Sequence, residues 1–290
     1  MIKEMTATTQ IPQPLDRHKA IRKTRKGKIK TAAHGKGDLA IRLTIWALIG
    51  LSMLGFLTFN YKNINFIEAV AATLNNVKVM FFQPHLTNNS VMGSLSQLLV
   101  TISLAVLSTI LGAIIAVFAS LLCAKNIANP KVANVVKSVV AFIRAVPTIL
   151  WVLIITVAAG IGSVAAVIGL TFHSAGYLTK AYAESIEEMS EGTIEALRAS
   201  GASFWQIAFQ AILPSSTSYM VAWTFLRFEI NFANAIAVGA AAGAGGLGWD
   251  LFMAGTQYFD MRELGFITYI IVIAVILLEI VATKVKAKVR

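Results

Sequence analysis

The sequence predicts an all-α integral membrane protein with six transmembrane helices and both ends in the cytoplasm. Three observations predict it. Of 290 residues, 57% are hydrophobic and 13% charged, about half the charged share of a soluble domain. The apolar residues gather in runs near the 20 residues that a helix needs to cross a 30 Å hydrocarbon core. The positive charges sit at the ends of those runs, on alternating sides, with only Lys62, Lys78 and Arg262 in segments assigned to the outside.

Residues 1–38 hold ten Lys and Arg against Glu4, Asp16 and Asp38 and contain no apolar stretch like a signal-peptide core. They read as a basic cytoplasmic tail, a solvated charge run that sets topology. The net charge of +11 is spread along the chain ends and loops and not over one aromatic-laced face, which excludes a nucleic-acid partner. One cysteine, Cys123, excludes a disulfide framework, and four scattered histidines lack metal-ligand spacing.

The first span is read at 41–59, and 39–90 is the first helix with its external loop. Within that loop Phe66, Val70, Leu74, Val77 and Phe81 recur at helical spacing, predicting an amphipathic helix on the outer interface. Residues 91–283 form the core transmembrane domain. Its second span, 91–122, carries Gln97, Thr101, Ser103, Ser108 and Thr109, small or polar groups of the kind that bring helices close. Lys125, Lys131, Lys137 and Arg144 mark a cytoplasmic turn broken by Pro130. Spans three and four are read at 146–160 and 161–182, joined through Gly160 and Gly162. The charged stretch 184–214 follows inside. Pro214 opens the fifth span, 215–238, as a residue that needs no N–H donor. An external segment runs from 239 to about 261, span six covers 264–281, and 284–290 is a basic cytoplasmic end.

The motif GAGGLG, with Gly243, Gly245 and Gly248, matches G-x-G-x-x-G, but it follows a membrane helix where a dinucleotide site needs a strand and a βαβ unit. It reads as a tight turn or close helix contact. No phosphate-binding G-x-x-x-x-G-K-[ST] occurs, so any ATP is bound by another chain.

The fifth span carries Arg227, Glu229, Asn231 and Asn234, costly groups in a bilayer that mark functional sites or ion pairs. Arg227 lies thirteen residues past Pro214, roughly 20 Å along the helix. Arg227, Asn231 and Asn234 share a face, while Glu229 points about 200° away. Arg227 and Glu229 are thus poor partners within one helix, and two roles are open to Arg227: facing an anionic solute, or a structural ion pair with a neighbouring span or across a subunit boundary. His173 and Ser174 add polarity at depth in the fourth span. Adjacent residues point about 100° apart, which makes an intramembrane enzyme built on His173, Ser174 and Glu229 the weaker functional class.

The stretch 195–214, with Glu195, Ala196, Gly201, Ala202, Leu213 and Pro214, resembles the cytoplasmic coupling loop of permeases in bacterial ABC importers; Leu197 and Ala211 depart from its pattern. Together with His173-Ser174-Ala175-Gly176, Ala183-Glu184, Arg227-Phe228-Glu229, Asn231 and the run 243–248, the chain from about residue 90 to 282 resembles the permease subunit of phosphonate-type ABC importers. The resemblance implies a methionine-importer-like permease fold and a second permease subunit, in a homodimer. It also implies a cytoplasmic ATPase dimer and an external solute-binding protein. The solute would be a phosphonate or related phosphorus oxyanion, with another small anion or an amino acid such as methionine as the alternative. No cofactor would be bound by this chain, ATP and Mg lying on the partner ATPase.

Overall fold

The computed structural model describes residues 36–59 and 65–289, so most of the basic tail lies outside the described residues. Every regular element among them is a helix. The chain divides into two units, one ending at Phe66 and one beginning at Ile67.

The first unit holds α1 (Lys36–Thr58). Apolar side chains such as Leu39, Trp46, Leu51 and Phe56 are exposed along it, as suits a helix whose solvent is lipid. Arg42 pairs with Asp38 at 3.3 Å, one turn away.

The second unit begins one residue into α2 (Phe66–Phe82), the helix expected from the apolar spacing. Its end is pinned to α11 (Met261–Val289): Tyr269 donates to the Phe81 carbonyl at 2.7 Å and Arg262 to Gln83 at 3.2 Å. The loop beyond clasps the same region. Asn88 donates through its backbone and side chain to the buried Glu263, at 3.2 and 2.7 Å, and Asn89 donates to Asp250 at 2.9 Å. Helix α2 thus belongs with the core unit rather than with the first helix.

Helix α3 (Val91–Cys123) starts on Ser90, whose hydroxyl accepts from the Gly93 N–H. Of its small polar side chains, Ser94, Thr101, Ser108, Thr109 and Ser120 lie buried, while Ser96 and Ser103 are exposed. The next stretch corrects the expected turn. Residues Pro130–Ala145 form helix α4, capped by Asn129, which accepts from the Lys131 N–H, with Pro130 in the first turn. Pro130 starts this helix because its missing N–H would have had no partner there. At Pro147 the chain bends by 89° into α5 (Thr148–Ala159), and Trp151 holds the bend by donating to the Ile143 carbonyl at 2.9 Å. Helix α5 has 12 residues, about 18 Å, too short to cross alone.

Helix α6 (Ser163–Glu187) is the interior element, packed by α3, α5 and α9 (Leu213–Ala242). The connection after α6 carries α7 (Glu191–Ala199) and the short α8 (Phe204–Ile207). A π-helical turn, Ala208–Ile212, then leads into α9. Pro214 lies in the first turn of α9, as the sequence reading had it, but α9 follows the π turn without a break. It sits in a helical path running from 204 to 242, where its ring would collide with the carbonyl four residues back. The wider π turn just before it absorbs that conflict.

The expected external segment 239–261 is mostly helical. Helix α9 continues to Ala242, the chain turns at Gly243 through Gly245, and α10 (Gly246–Thr256) follows, bent by 48° from α9 and packed on α3, α9 and α11. Gln97 and Thr101 of α3 accept the first backbone N–H groups of α10, from Gly246 at 2.8 Å and Leu247 at 2.9 Å. The GAGGLG run is the close contact read from the sequence: a Cβ on Gly248 would strike the Ile236 carbonyl.

Among the described residues three helices are long and apolar enough to cross a membrane, over residues 37–58, 91–123 and 261–284, and the number is up to five if each bent pair is one span. Helix α6 fails on apolarity because it carries His173, Ser174, Lys180 and Glu184, which a helix wrapped by other helices tolerates.

Candidate solute site and coupling helices

Where α3, α6 and α9 meet, the structure gathers a buried polar cluster. Arg227 of α9 is 1% exposed and Asn231, one turn on, is fully buried. The Arg227 Nε donates to Ser174 Oγ at 3.1 Å, and its Cζ lies 5.3 Å from the centre of the Tyr177 ring, within cation–π range. Asn231 Nδ2 donates to Ser174 and Thr109 at 2.8 Å and to Ser108 at 3.3 Å. Ser174 in turn donates to the Leu170 carbonyl at 2.6 Å. A Cβ on Gly112 would come within 2.6 Å of the Ser174 Cβ, so a glycine on α3 is what lets the two helices approach closely enough for these bonds.

Arg227 forms no ion pair among the described residues. Its Nη2 is buried without a hydrogen-bond partner among them. As their separation around the helix leads one to expect, Arg227 does not pair with Glu229 in its own chain; Glu229 is half-buried about 200° around α9 and has interactions of its own. Asn234 is half-buried near the cluster. His173 does not bond to Ser174; it lies against the Val146 backbone at the α4–α5 bend, with a buried, unpartnered Nδ1. No nucleophile–base pair results. Ser108, Thr109 and Tyr177 were missed as site residues, and Tyr177 follows Ser174 by the one-turn spacing that could have placed it.

The second constellation lies at the opposite end of α9. Ile194 of α7 is buried with Ile186, Leu121 and Ile127, and Arg198 donates to the carbonyls of Asn126 and Ile127 at 3.2 and 3.4 Å. Glu195, Ala196, Gly201 and Pro214 are exposed, while Ala202 and Leu213 are half-buried. Helix α7 ends on Gly201 at φ 84°, with the Gly201 N–H bonded to the Arg198 carbonyl and the Ala202 N–H to that of Leu197, a Schellman cap. Two residues on, Ser203 and Gln206 form a capping box that starts α8. Stop and start signals two residues apart thus build a helix–turn–helix whose outer face carries the exposed, stacked Trp205 and Phe209.

This fold, with its intramembrane polar cluster and its projecting helical connection, is that of a transport permease. Residues 116–286 match the family of binding-protein-dependent transport system inner membrane components, and the chain belongs to it. The phosphate-import permease protein PhnE of Mycolicibacterium smegmatis is 34% identical over 174 residues, which cover 60% of this chain and 32% of that one. The phosphite transport system permease protein PtxC of Stutzerimonas stutzeri is 30% identical over 180 residues, 62% of this chain and 65% of that one. The chain thus matches about a third of the first relative's length and just under two thirds of the second's. A permease chain of the inward-facing MetNI methionine ABC transporter superposes with a TM-score of 0.60 at 25% identity, over 67% of this chain and 94% of that one. The methionine-importer-like fold expected from the resemblance is the fold observed.

Proposed function

We propose that this chain is the permease subunit of an ABC importer that carries phosphonate or a related phosphorus oxyanion across the inner membrane. The observation that carries this reading is Arg227, a buried guanidinium held by a hydroxyl and an aromatic face, with one Nη donor unpartnered among the described residues. A planar, permanently charged fork suits an oxyanion. The relatives named for phosphate and phosphite transport, at 34% and 30% identity against 25% for the methionine transporter, favour the same solute class.

In this reading all six spans are kept. Helices α4 and α5 make one broken crossing, and α6, 25 residues long and about 37 Å, crosses inside protein. Both chain ends and α7–α8 face the cytoplasm, where Glu195, Ala196, Gly201, Ala202, Leu213 and Pro214 couple to an ATPase dimer. That dimer holds ATP and Mg, an external binding protein delivers solute, and a second copy of the chain completes the pore. Closure of the ATPases moves α7–α8, and the rigid α9 carries the movement to Arg227. The test is uptake in cells lacking this gene: phosphite, methylphosphonate or phosphate uptake falls while methionine uptake stays. Loss of methionine uptake alone overturns the solute assignment.

A further inference from the structure

Beyond the Arg227 cluster, the α7 end of the bundle contains a half-open cleft of about 340 Å³ between α4, α6 and the end of α3. Six charged side chains line it: Lys125, Lys137, Arg144 and Lys180 against Glu184 and Glu187. Two of the cations are neutralised, Lys137 by Glu187 at 3.1 Å and Lys180 by Glu184 at 3.4 Å. Glu187 also accepts the Lys125 backbone N–H at 2.8 Å. Burial pushes the Glu187 carboxyl up, but these bonds outweigh it and hold it below the usual range, so the pairs persist at neutral pH. The Lys125 ammonium and the half-buried Arg144 guanidinium make no ion pair or side-chain hydrogen bond among the described residues. With four cations against two carboxylates, the cleft therefore carries a net positive charge on concave walls of low dielectric, which concentrates field on an anion.

Two further observations fix its surroundings. Helix α4 leaves α5 at 89° and exposes Val132, Val135, Val139 and Phe142 at helical spacing, the pattern of a helix lying in a membrane interface. On α6, Tyr177, Lys180, Glu184 and Glu187 follow one another at three- and four-residue steps, one face that runs about 15 Å from the ring under Arg227 to the cleft.

We infer that this cleft is an anion site for a phosphate-type group, distinct from the Arg227 cluster, with Arg144 as its central donor. The group comes from a transported oxyanion on its way out or from an anionic phospholipid headgroup of the inner leaflet. The first source rests on the transport reading; the second does not.

The experiment is lysine footprinting by mass spectrometry on the full permease–ATPase complex in nanodiscs, without nucleotide, so that it does not depend on transport. In phosphatidylcholine discs, inorganic phosphate or methylphosphonate at about ten times its Kd slows modification of Lys137 and Lys180 about tenfold and leaves Lys131, on α4 outside the cleft, unchanged. That result assigns the solute as source. The same protection without added anion, in discs containing phosphatidylglycerol, assigns the headgroup. Arg144→Gln removes the protection while Lys131 still reacts at the parental rate, and the exposed Lys180→Gln weakens it at Lys137 as a variant that leaves the fold intact. Absence of protection in both disc types, equal slowing at Lys131, or full protection in Arg144→Gln overturns the inference. Failure of phosphorus uptake in cells would bear on the transport reading and leave this measurement untouched.

Discussion

Closed off from water by α3, α6 and α9, the guanidinium of Arg227 has neutral neighbours: Ser174, Tyr177 and, one turn away, Asn231. A buried cation without a carboxylate is costly unless its site has a use for the charge. If that use is attraction of an oxyanion, Arg227→Lys keeps part of the uptake because charge remains. Arg227→Gln then loses about 1.5–3 kcal/mol of a charged hydrogen bond, a fall of roughly ten- to a hundredfold, while assembly with the ATPase survives. Radiolabelled phosphate or phosphite uptake, with ATPase co-purification as the assembly control, checks both. Restoration of assembly and uptake in Arg227→Gln, Glu229→Gln would instead show a structural pair and remove the solute contact. The cluster was half legible. Arg227, Asn231, His173 and Ser174 stand out in an apolar chain as polar residues, but Ser108 and Thr109 looked like packing residues because only their distance to Asn231, across α3 and α9, shows otherwise.

At the scale of elements, the α7–Gly201–α8 turn couples local sequence to function. The site opposite a Cβ on Gly201 is open, yet its φ of 84° disfavours any side chain, by roughly 1–2 kcal/mol. Gly201→Asp therefore inserts normally but shifts α7 against α8, so uptake falls while the purified complex still hydrolyses ATP; parental uptake by this variant would sink the assignment of these helices. At the other end, Asp260 caps α11, accepting from the Arg262 and Glu263 N–H groups at 2.9 and 3.1 Å. A bond from Thr87 is the main reason its carboxyl titrates below the usual range. A depressed folded value means that the stabilisation is present above the unfolded pKa, near 3.9, and is lost as pH falls through the folded value. Thermal melts of Asp260→Asn, which keeps a capping oxygen, should show a flatter decline than the parent between pH 5 and 3. Identical acid slopes would remove Asp260 from the closure of this end.

Across the whole molecule, the proposed arrangement with both ends inside is tested with single cysteines in a Cys123→Ala background. Asn76 on α2 and Gln257 beyond α10 are exposed and react with an impermeant thiol reagent in intact cells, whereas Ser203 does not. Ala254, inside the expected outer segment, is 1% exposed and is silent from either side. Labelling at Ser203 in intact cells would invert the topology.

The sequence by itself determined that this is a helical membrane protein and placed α1, α2, α3 and α11, because each is specified by a continuous apolar run or a helical apolar period. It also held the full signal for the α7–α8 turn, since Gly201, Ser203 and Gln206 act on backbone groups within three residues of themselves. Only the tertiary structure decided the rest. The packing of α10 depends on partners far along the chain, Gln97 and Thr101, which receive its first N–H groups. The polar course of α6 is admissible because three helices replace lipid around it, and the π turn before Pro214 is one of two ways that a helix accommodates a proline, by ending or by widening. Those outcomes are set by burial against distant segments, and local spacing carries no record of which segment will arrive.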